Sequence, residues 1–300
     1  MKKIVVVGSA NIDFVSSVSH LPSPGETILG SSFDKIPGGK GANQATAASK
    51  LGGEVSFIGR IGSDQEGATI RNNLEKANVD CEFLFSSSEV PTGIAMIGVD
   101  KDGNNSIIVN PGANHSLCPE DIDTASEVVE SSKVVLLQLE IPVASVGTAI
   151  EKANGVVILN PAPATDLSKE LIEKVDVLIP NQVELSHLSN RNSLDDLNEI
   201  EEAAKSLGVA TVIATLGSKG ALIVSNGDSE LVPSPVVESV DTTGAGDSFC
   251  GSIAELLSRD VDLTETVRRS VVAASLSTTK FGAQDSMPTL SEVDSFLEQI

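Results

Sequence analysis

Short β-branched runs that lack polar alternation constrain this chain more than any other feature. Such runs occupy residues 4–7, 55–58, 134–139, 156–159, 177–179, 211–215 and 221–224. A strand wetted on one face alternates apolar and polar residues, so runs without alternation predict strands buried on both faces. Between most of them lie longer amphipathic stretches with recognisable helix starts. Cys118-Pro119-Glu120-Asp121 sets proline at a first helical position with acids in the first turn. Asp262 with Glu265, and Thr289 with Glu292, have capping-box spacing. Strand–helix alternation of this kind predicts a mostly parallel sheet covered by helices on both sides.

Residues 11–38 and 92–110 break the alternation. They are rich in β-formers and turn residues, and neither carries a convincing helix. Residues 92–99 and 105–109, separated by Asp102-Gly103-Asn104, predict an antiparallel hairpin. No internal repeat or low-complexity linker divides the chain. The expected organisation is a main α/β domain over 1–10, 39–91 and 111–300, with a small β lid from 11–38 and 92–110.

Composition then excludes several kinds of partner. The 42 acidic and 20 basic residues give a net charge of −22, which offers no electrostatic footprint for nucleic acid or anionic lipid. With no Trp, no Tyr and only 8 Phe, the chain also lacks a stacking platform for single strands. Met1-Lys2-Lys3 and the following apolar run imitate a secretory signal, but Asn11 and Asp13 interrupt it too early. Cys81, Cys118 and Cys250 are odd in number and widely spaced, and His20, His115 and His187 show no metal-ligand spacing. A reducing, cytoplasmic setting without membrane contact is the expectation.

Two glycine-rich turns carry chemistry. Asp241-Thr242-Thr243-Gly244-Ala245-Gly246-Asp247 follows the strand-like residues 235–240 and opens a helical pattern through Ile253, Leu256 and Leu257. Gly244 and Gly246 free the backbone N–H groups at a helix start to converge on an anion. Asp247, beside that anion, suits a base that takes a proton from an attacking hydroxyl. The same aspartate would also serve as a first-turn acid complementing the helix dipole. Pro37-Gly38-Gly39-Lys40-Gly41-Ala42-Asn43 leads into a second helix, and reads equally as a ligand loop or a plain helix start. It is neither a P-loop nor a dinucleotide fingerprint.

Together these motifs closely resemble the ribokinase family of sugar kinases, over essentially the full length. Further matches are Asn11 and Asp13, Gly112-Ala113-Asn114, Gln138-Leu139-Glu140 and Asn160-Pro161-Ala162-Pro163-Ala164. Asn181-Gln182-Val183-Glu184 and Thr215-Leu216-Gly217-Ser218-Lys219-Gly220 complete the set. The resemblance implies a ribokinase-like three-layer α/β/α sandwich with a mostly parallel central sheet and a small β-stranded lid. It implies transfer of the γ-phosphoryl group of ATP to a sugar, with Asp247 as base and Gly244, Ala245 and Gly246 as anion hole. Asn11, Asp13, Gly39, Lys40, Asn43 and Glu140 match the family's sugar-binding positions; without the resemblance, Asn11 and Asp13 read as a polar turn.

By the same resemblance, Asn181 and residues 215–220 would hold the nucleotide, and Glu184 is associated with Mg²⁺. Taken separately, Asn181 with Glu184 reads as a solvated helix start and the 215–220 turn as an ordinary hairpin. A monovalent-cation (K⁺) site would draw on Asp241, Thr243, Ser277, Lys280, Gly282 and Ser286. A homodimer joined through the lid is a family expectation.

Lys40 in GGKGANQA favours D-ribose within this family. The span 89–110 contains Lys101 but no arginine, which disfavours a sugar carrying its own phosphate. The absence of Tyr and Trp disfavours a nucleoside. The expected reaction is ATP-dependent conversion of D-ribose to D-ribose 5-phosphate. Kinases of 2-deoxyribose, fructose or a sugar phosphate stay open as alternatives, as does a catalytically inactive sugar-binding protein.

Overall fold

A computed structural model describes residues 3–300; Met1 and Lys2, which open the signal-like stretch and the main domain, lie outside the described residues. In chain order, β1 (Ile4–Val7), β2 (Asn11–Val18) and β3 (Gly30–Gly38) precede α1 (Lys40–Lys50), β4 (Val55–Gly62) and α2 (Gln65–Lys76). There follow β5 (Leu84–Ser87), β6 (Gly93–Val99), β7 (Asn105–Asn110), α3 (Pro119–Thr124) and α4 (Ser126–Ser131). The middle of the chain holds β8 (Val134–Leu137), α5 (Val143–Lys152), β9 (Val156–Leu159), α6 (Lys169–Ile172) and β10 (Val177–Leu178). Next come α7 (Gln182–Leu188), α8 (Leu197–Ser206), β11 (Thr211–Thr215), β12 (Ala221–Ser225) and β13 (Asp228–Val232). Finally α9 (Ala245–Ser258), α10 (Leu263–Ser277) and α11 (Leu290–Leu297) close the chain.

Nine strands form one sheet in the order β13-β12-β11-β10-β9-β8-β1-β4-β5. Pairing is parallel from β11 through to β5 and antiparallel from β11 to β12 and β13. Alternate residues of β1 enter different cores: Ile4 and Val6 pack in one layer with α1, α9 and α10, while Val5 and Val7 pack in the other with α3, α5 and α8. Both faces are dry, which is why the runs show no polar alternation. The three-layer sandwich expected from the sequence is therefore present.

A second sheet, in the order β3-β2-β6-β7, comes from the two segments that broke the alternation. Its outer strands are antiparallel to their neighbours, and β2 pairs parallel with β6. No helix of the described residues is long and apolar enough to cross a membrane.

Local differences from expectation have plain causes. Residues 235–240 are not a strand. Pro233 and Pro235 lack N–H donors, and the backbone N–H groups of Val240 and Asp241 donate instead to the Thr278 carbonyl after α10. The strand β8 stops at Leu137, short of Leu139, because the Leu139 N–H leaves the ladder for Ala162. Asp262 caps α10 through the N–H groups of Thr264 and Glu265, but Glu265 turns to Arg268 instead of closing a capping box. Thr289 and Glu292 form the full box.

The strand order reverses beside β1: the chain runs outward through β4 and β5 with α1 and α2 on one face, then returns to β8 beside β1 and runs outward through β9 and β10 with α3 and α5 on the other. Ligands of open parallel sheets bind beyond the carboxyl ends of strands at such a reversal. Residues 8–11 after β1, 138–140 after β8, Asn160 after β9 and Asn181 after β10 all lie at that end.

Candidate active site

The start of α9 is shaped for an anion. Gly244, its N-cap, adopts φ 76°, and a Cβ there would lie 3.1 Å from the Ala283 Cβ. The first N–H groups of a helix have no intrahelical partner: the Gly246 N–H is left as a donor beside Asp247, while the Ala245 N–H makes a long 3.3 Å bond to the Thr242 carbonyl of the preceding turn. Asp247 is buried, and both of its oxygens are held: Oδ2 accepts from Asn43 Nδ2 at 2.9 Å and Oδ1 from Gln44 Nε2 at 3.0 Å. Burial raises its pKa, opposed by the Lys40 ammonium and the two amides. The two glycine-rich turns, distant in sequence, thus meet at one carboxylate.

The loop before α1 completes this side. Gly39 has φ 88°, and a Cβ on it would come within 2.7 Å of the Ala10 Cα, so only glycine lets the two backbones meet. Glu140 Oε2 accepts from Ser9 Oγ at 2.5 Å and from the Lys40 N–H at 3.0 Å, tying β8's end to that loop. Asn11 is buried, with its Oδ1 accepting from Asn114 Nδ2 at 2.7 Å. Asp13 is half-buried on β2. Burial, then the charges of Glu140 and Asp247, push its carboxyl up to about 7. The Lys40 ammonium is raised by Asp247 first and then by Glu140 and Glu184, against its own burial.

Asn181 and Glu184 form a reciprocal cap at the start of α7. The Glu184 N–H donates to Asn181 Oδ1 at 2.9 Å, while Glu184 Oε2 accepts from the Asn181 N–H at 2.8 Å. Glu184 Oε1 accepts from Asn181 Nδ2 at 2.9 Å. Asn181 is exposed at this helix start, but Glu184 is buried, which raises its pKa, and it lies within electrostatic reach of Lys40 and Asp247.

Beyond α9 opens a cavity of about 490 Å³. Thr215, Gly217, Ser218 and Gly220 line one side, Ala245, Gly246 and Phe249 of α9 another, and Val271 and Ala274 of α10 a third. The β11–β12 connection is indeed a hairpin, and it also walls this cavity. Leu216 instead packs in the core, and neither Lys219 nor Asn181 lines the cavity. Sequence reasoning missed Ser234, Pro235, Val236, Val237 and Ser239 and the α10 face, a mixture of small polar and apolar residues that carries no motif.

Asp241 sits at the turn before α9. Its Oδ1 accepts from Thr243 N–H at 2.9 Å and Thr243 Oγ1 at 2.7 Å, and its Oδ2 from the Gly282 N–H at 3.0 Å. Burial acts upward on this carboxyl, but those bonds bring it below its ordinary value. Lys280 turns its ammonium to Glu292 at 2.7 Å, while the hydroxyls of Ser277 and Ser286 donate to the carbonyls of Ala274 and Ala283. Among the described residues no three His, Cys, Asp or Glu side chains cluster as metal ligands. His20 and His187 pair with Glu26 and Asp166, and Cys81 and Cys250 are buried.

Known proteins resemble this chain over nearly its whole length. The family model described as pfkB family carbohydrate kinase matches residues 1–290. The chain is 39% identical over 302 residues to a ribokinase of Haemophilus influenzae, covering 99% of each. It is 36% identical over 301 residues to a deoxyribokinase of Salmonella typhi, covering 98% of each. Among solved structures, Arabidopsis thaliana ribokinase complexed with ribose and ATP superimposes with a TM-score of 0.92 at 36% identity, covering 99% of each chain.

Proposed function

The chain belongs to the pfkB family of carbohydrate kinases, and we propose that it transfers the γ-phosphoryl group of ATP to the 5-hydroxyl of D-ribose. The observation that carries this reading is the position of Asp247. It stands between the cavity beyond α9 and the polar residues at the start of α1, hydrogen-bonded to Asn43 and Gln44 of that helix. A sugar held by Asn11, Asp13, Gly39, Lys40, Asn43 and Glu140 presents a hydroxyl to Asp247. A nucleotide in the cavity, against 215–220 and near Asn181, brings its terminal phosphate to the first N–H groups of α9.

Asp247 takes the proton as the sugar oxygen bonds to phosphorus and the bond to the bridging oxygen of ADP breaks. The N–H groups of Gly244, Ala245 and Gly246 stabilise the charge on the transferred group, the principal work of a phosphoryl-transfer enzyme. Asp13 and Glu140 can each accept two sugar hydroxyl protons. The small sheet, acting as a lid, excludes water so that ATP is not hydrolysed wastefully.

Mg²⁺ fits if it is held mainly by phosphate oxygens and water. Glu184, whose two oxygens already accept from Asn181, would meet it through water; the ion would supply charge neutralisation between the phosphates. A monovalent cation such as K⁺ fits beside Asp241, whose ionised carboxylate ties the 241–243 turn to Gly282. Backbone carbonyls of Thr243, Ser277, Lys280 and Gly282 and the Ser286 position would complete that site. The Lys280 ammonium is drawn away by Glu292. A homodimer through the small sheet is supported by Phe33, Met96, Ile107, Ile108 and Val109, all exposed there. A cytoplasmic location is supported by the free thiols and by the proposed substrates.

An ADP-release assay across ribose, 2-deoxyribose, fructose, fructose phosphates and adenosine tests this. Ribose should give the highest kcat/KM. The deoxyribokinase relative makes 2-deoxyribose the nearest competitor, and turnover with none of these would favour a binding protein instead.

A further inference from the structure

In the ionised form that a base requires, Asp247 is an acceptor only, so any amide that touches it must turn its NH₂ group inward. That requirement propagates outward along two lines. On one, Asn43 Nδ2 donates to Asp247 Oδ2, which leaves Asn43 Oδ1 to accept from Gln284 Nε2 at 3.0 Å. Gln284 Oε1 then accepts from Asn73 Nδ2 at 2.5 Å and Thr46 Oγ1 at 3.4 Å. On the other, Gln44 Nε2 donates to Asp247 Oδ1, and Gln44 Oε1 accepts from Gln138 Nε2 at 2.6 Å. All the inner members are buried, with Gln284 at 4% exposure and Gln44 and Gln138 at 0%.

Each amide therefore has one orientation that satisfies both neighbours. The second line ends with an unmet group, since Gln138 Oε1 is buried and without a hydrogen-bond partner. A Cβ on Gly8 would fall 2.0 Å from it. Turning Gln138 over would leave Gln44 Oε1 facing an acceptor, so the orphaned oxygen lies at the outer end, away from the carboxylate. Buried polar atoms are ordinarily paired, and this exception is explained by the polarity of the line.

We infer that Gln284 and Asn73 on one line, and Gln138 on the other, are positioning residues that fix the Asn43 and Gln44 amides as donors to the catalytic carboxylate. None of these three touches Asp247 themselves. They act by setting which end of the intervening amide faces it, which holds the base in one orientation and keeps it ionised despite its burial. The inference rests on the reading of Asp247 as the base.

The polarity makes a sharp test, because one isosteric substitution reverses it. Gln284→Glu still accepts from Asn73 and Thr46 but cannot donate to Asn43, whose amide must turn its oxygen toward Asp247 or lose its partner. Asn73→Asp starts the same reversal from the half-buried end on α2, where a charge is better tolerated and folding is less at risk. Each variant is expected to lower kcat with ribose about tenfold or more, in the range of outer-shell substitutions, while KM for ATP stays within about twofold. The acid limb of the kcat–pH profile should move to higher pH, since a carboxylate that loses a donor is easier to protonate. Lys40 opposes that shift, while Asp13, Glu140 and Glu184 reinforce it. The double variant should be no worse than the more severe single one.

Folded Gln284→Glu and Asn73→Asp proteins with wild-type kcat and an unmoved acid limb would overturn the inference. Asp247→Asn, assayed alongside, separates the two levels of the argument. If it keeps wild-type turnover, the assignment of the base fails; if it is inactive while the two amide variants are normal, only the positioning fails.

Discussion

Sugar affinity should depend on pH through Asp13, and the structure sets both the sign and the size. Its carboxyl is displaced from the ordinary 3.8 to about 7, by burial first and then by Glu140 and Asp247. In the free protein about a tenth of Asp13 is ionised at pH 6 and about nine-tenths at pH 8. If the sugar hydroxyls require the carboxylate as a double acceptor, apparent affinity falls in proportion to the competent fraction. Ribose binding should therefore weaken roughly tenfold from pH 8 to pH 6. Calorimetry without nucleotide, repeated in buffers of different ionisation enthalpy, measures the affinity and counts the proton released near pH 7. Affinity that is flat across this window, or unchanged in Asp13→Asn, would refute the reasoning.

The same displacement carries a stability consequence of opposite sense. A carboxyl whose pKa is higher in the folded chain than in the unfolded one costs stability above the folded value. The cost is relieved as pH falls from about 7 toward 3.8. The displacement caps it on the order of 4 kcal/mol, less whatever water reaching this half-buried group recovers. Asp13→Asn should thus melt higher than the parent at pH 8, with the gap closing at lower pH, even though it binds sugar less well. A variant that gains stability while losing ligand marks a site whose charge is retained for binding.

Other outcomes follow from the same geometry. Asp247→Ala should lower kcat at least about 100-fold while leaving ribose binding largely intact in calorimetry; near-normal turnover would remove it from the role of base. Gly244→Ala forces a side chain into φ 76° against Ala283, which should cost about 1–2 kcal/mol in thermal or urea unfolding and lower kcat by displacing the anion-binding turn. Activity at constant ionic strength should rise with K⁺ over Na⁺. A flat response, together with full activity in Asp241→Ala, would eliminate the cation site beside Gly282.

The main sheet was legible because burial on both faces writes itself as uninterrupted β-branched runs; Ile4 to Val7 feed two cores at once. The small sheet was legible from the hairpin turn at Asp102-Gly103-Asn104 and from missing helical periodicity. Residues 235–240 misled because Val236, Val237 and Val240 favour a strand locally, while Pro233 and Pro235 remove the donors a ladder needs. At the site, Asp247 and its glycines stood out because an acid inside a glycine-rich helix start is chemically odd. Gln44, Gln138 and Gln284 carried no such mark. Their importance lies in which way an amide faces, and that is set by neighbours up to 241 residues away in sequence.

The electrostatics of the site explain why cations belong in the proposal. Asp13, Glu140, Glu184 and Asp247 act on one another or on Lys40 at close range, four carboxyls about one ammonium in a chain of net charge −22. Among the described residues no lysine or arginine lines the cavity in which the proposal seats the nucleotide; Lys219 stands outside it and Lys280 is turned to Glu292. Among the described residues of the proposed site, counter-charge comes from the fixed N–H dipoles of α9 and from Lys40, which Asp247 already claims. Neutral sugar hydroxyls suit such a surface because carboxylates accept from them, but a triphosphate does not. In the proposed reaction its approach would be neutralised by ions that arrive with it or settle beside Asp241, which would make the nucleotide half of the proposed site far more sensitive to cations than the sugar half. Ribose affinity should accordingly change little between sodium, potassium and magnesium salts at one ionic strength, while KM for ATP should move severalfold; the reverse pattern would mean that the acidic cluster serves the sugar through a bound cation.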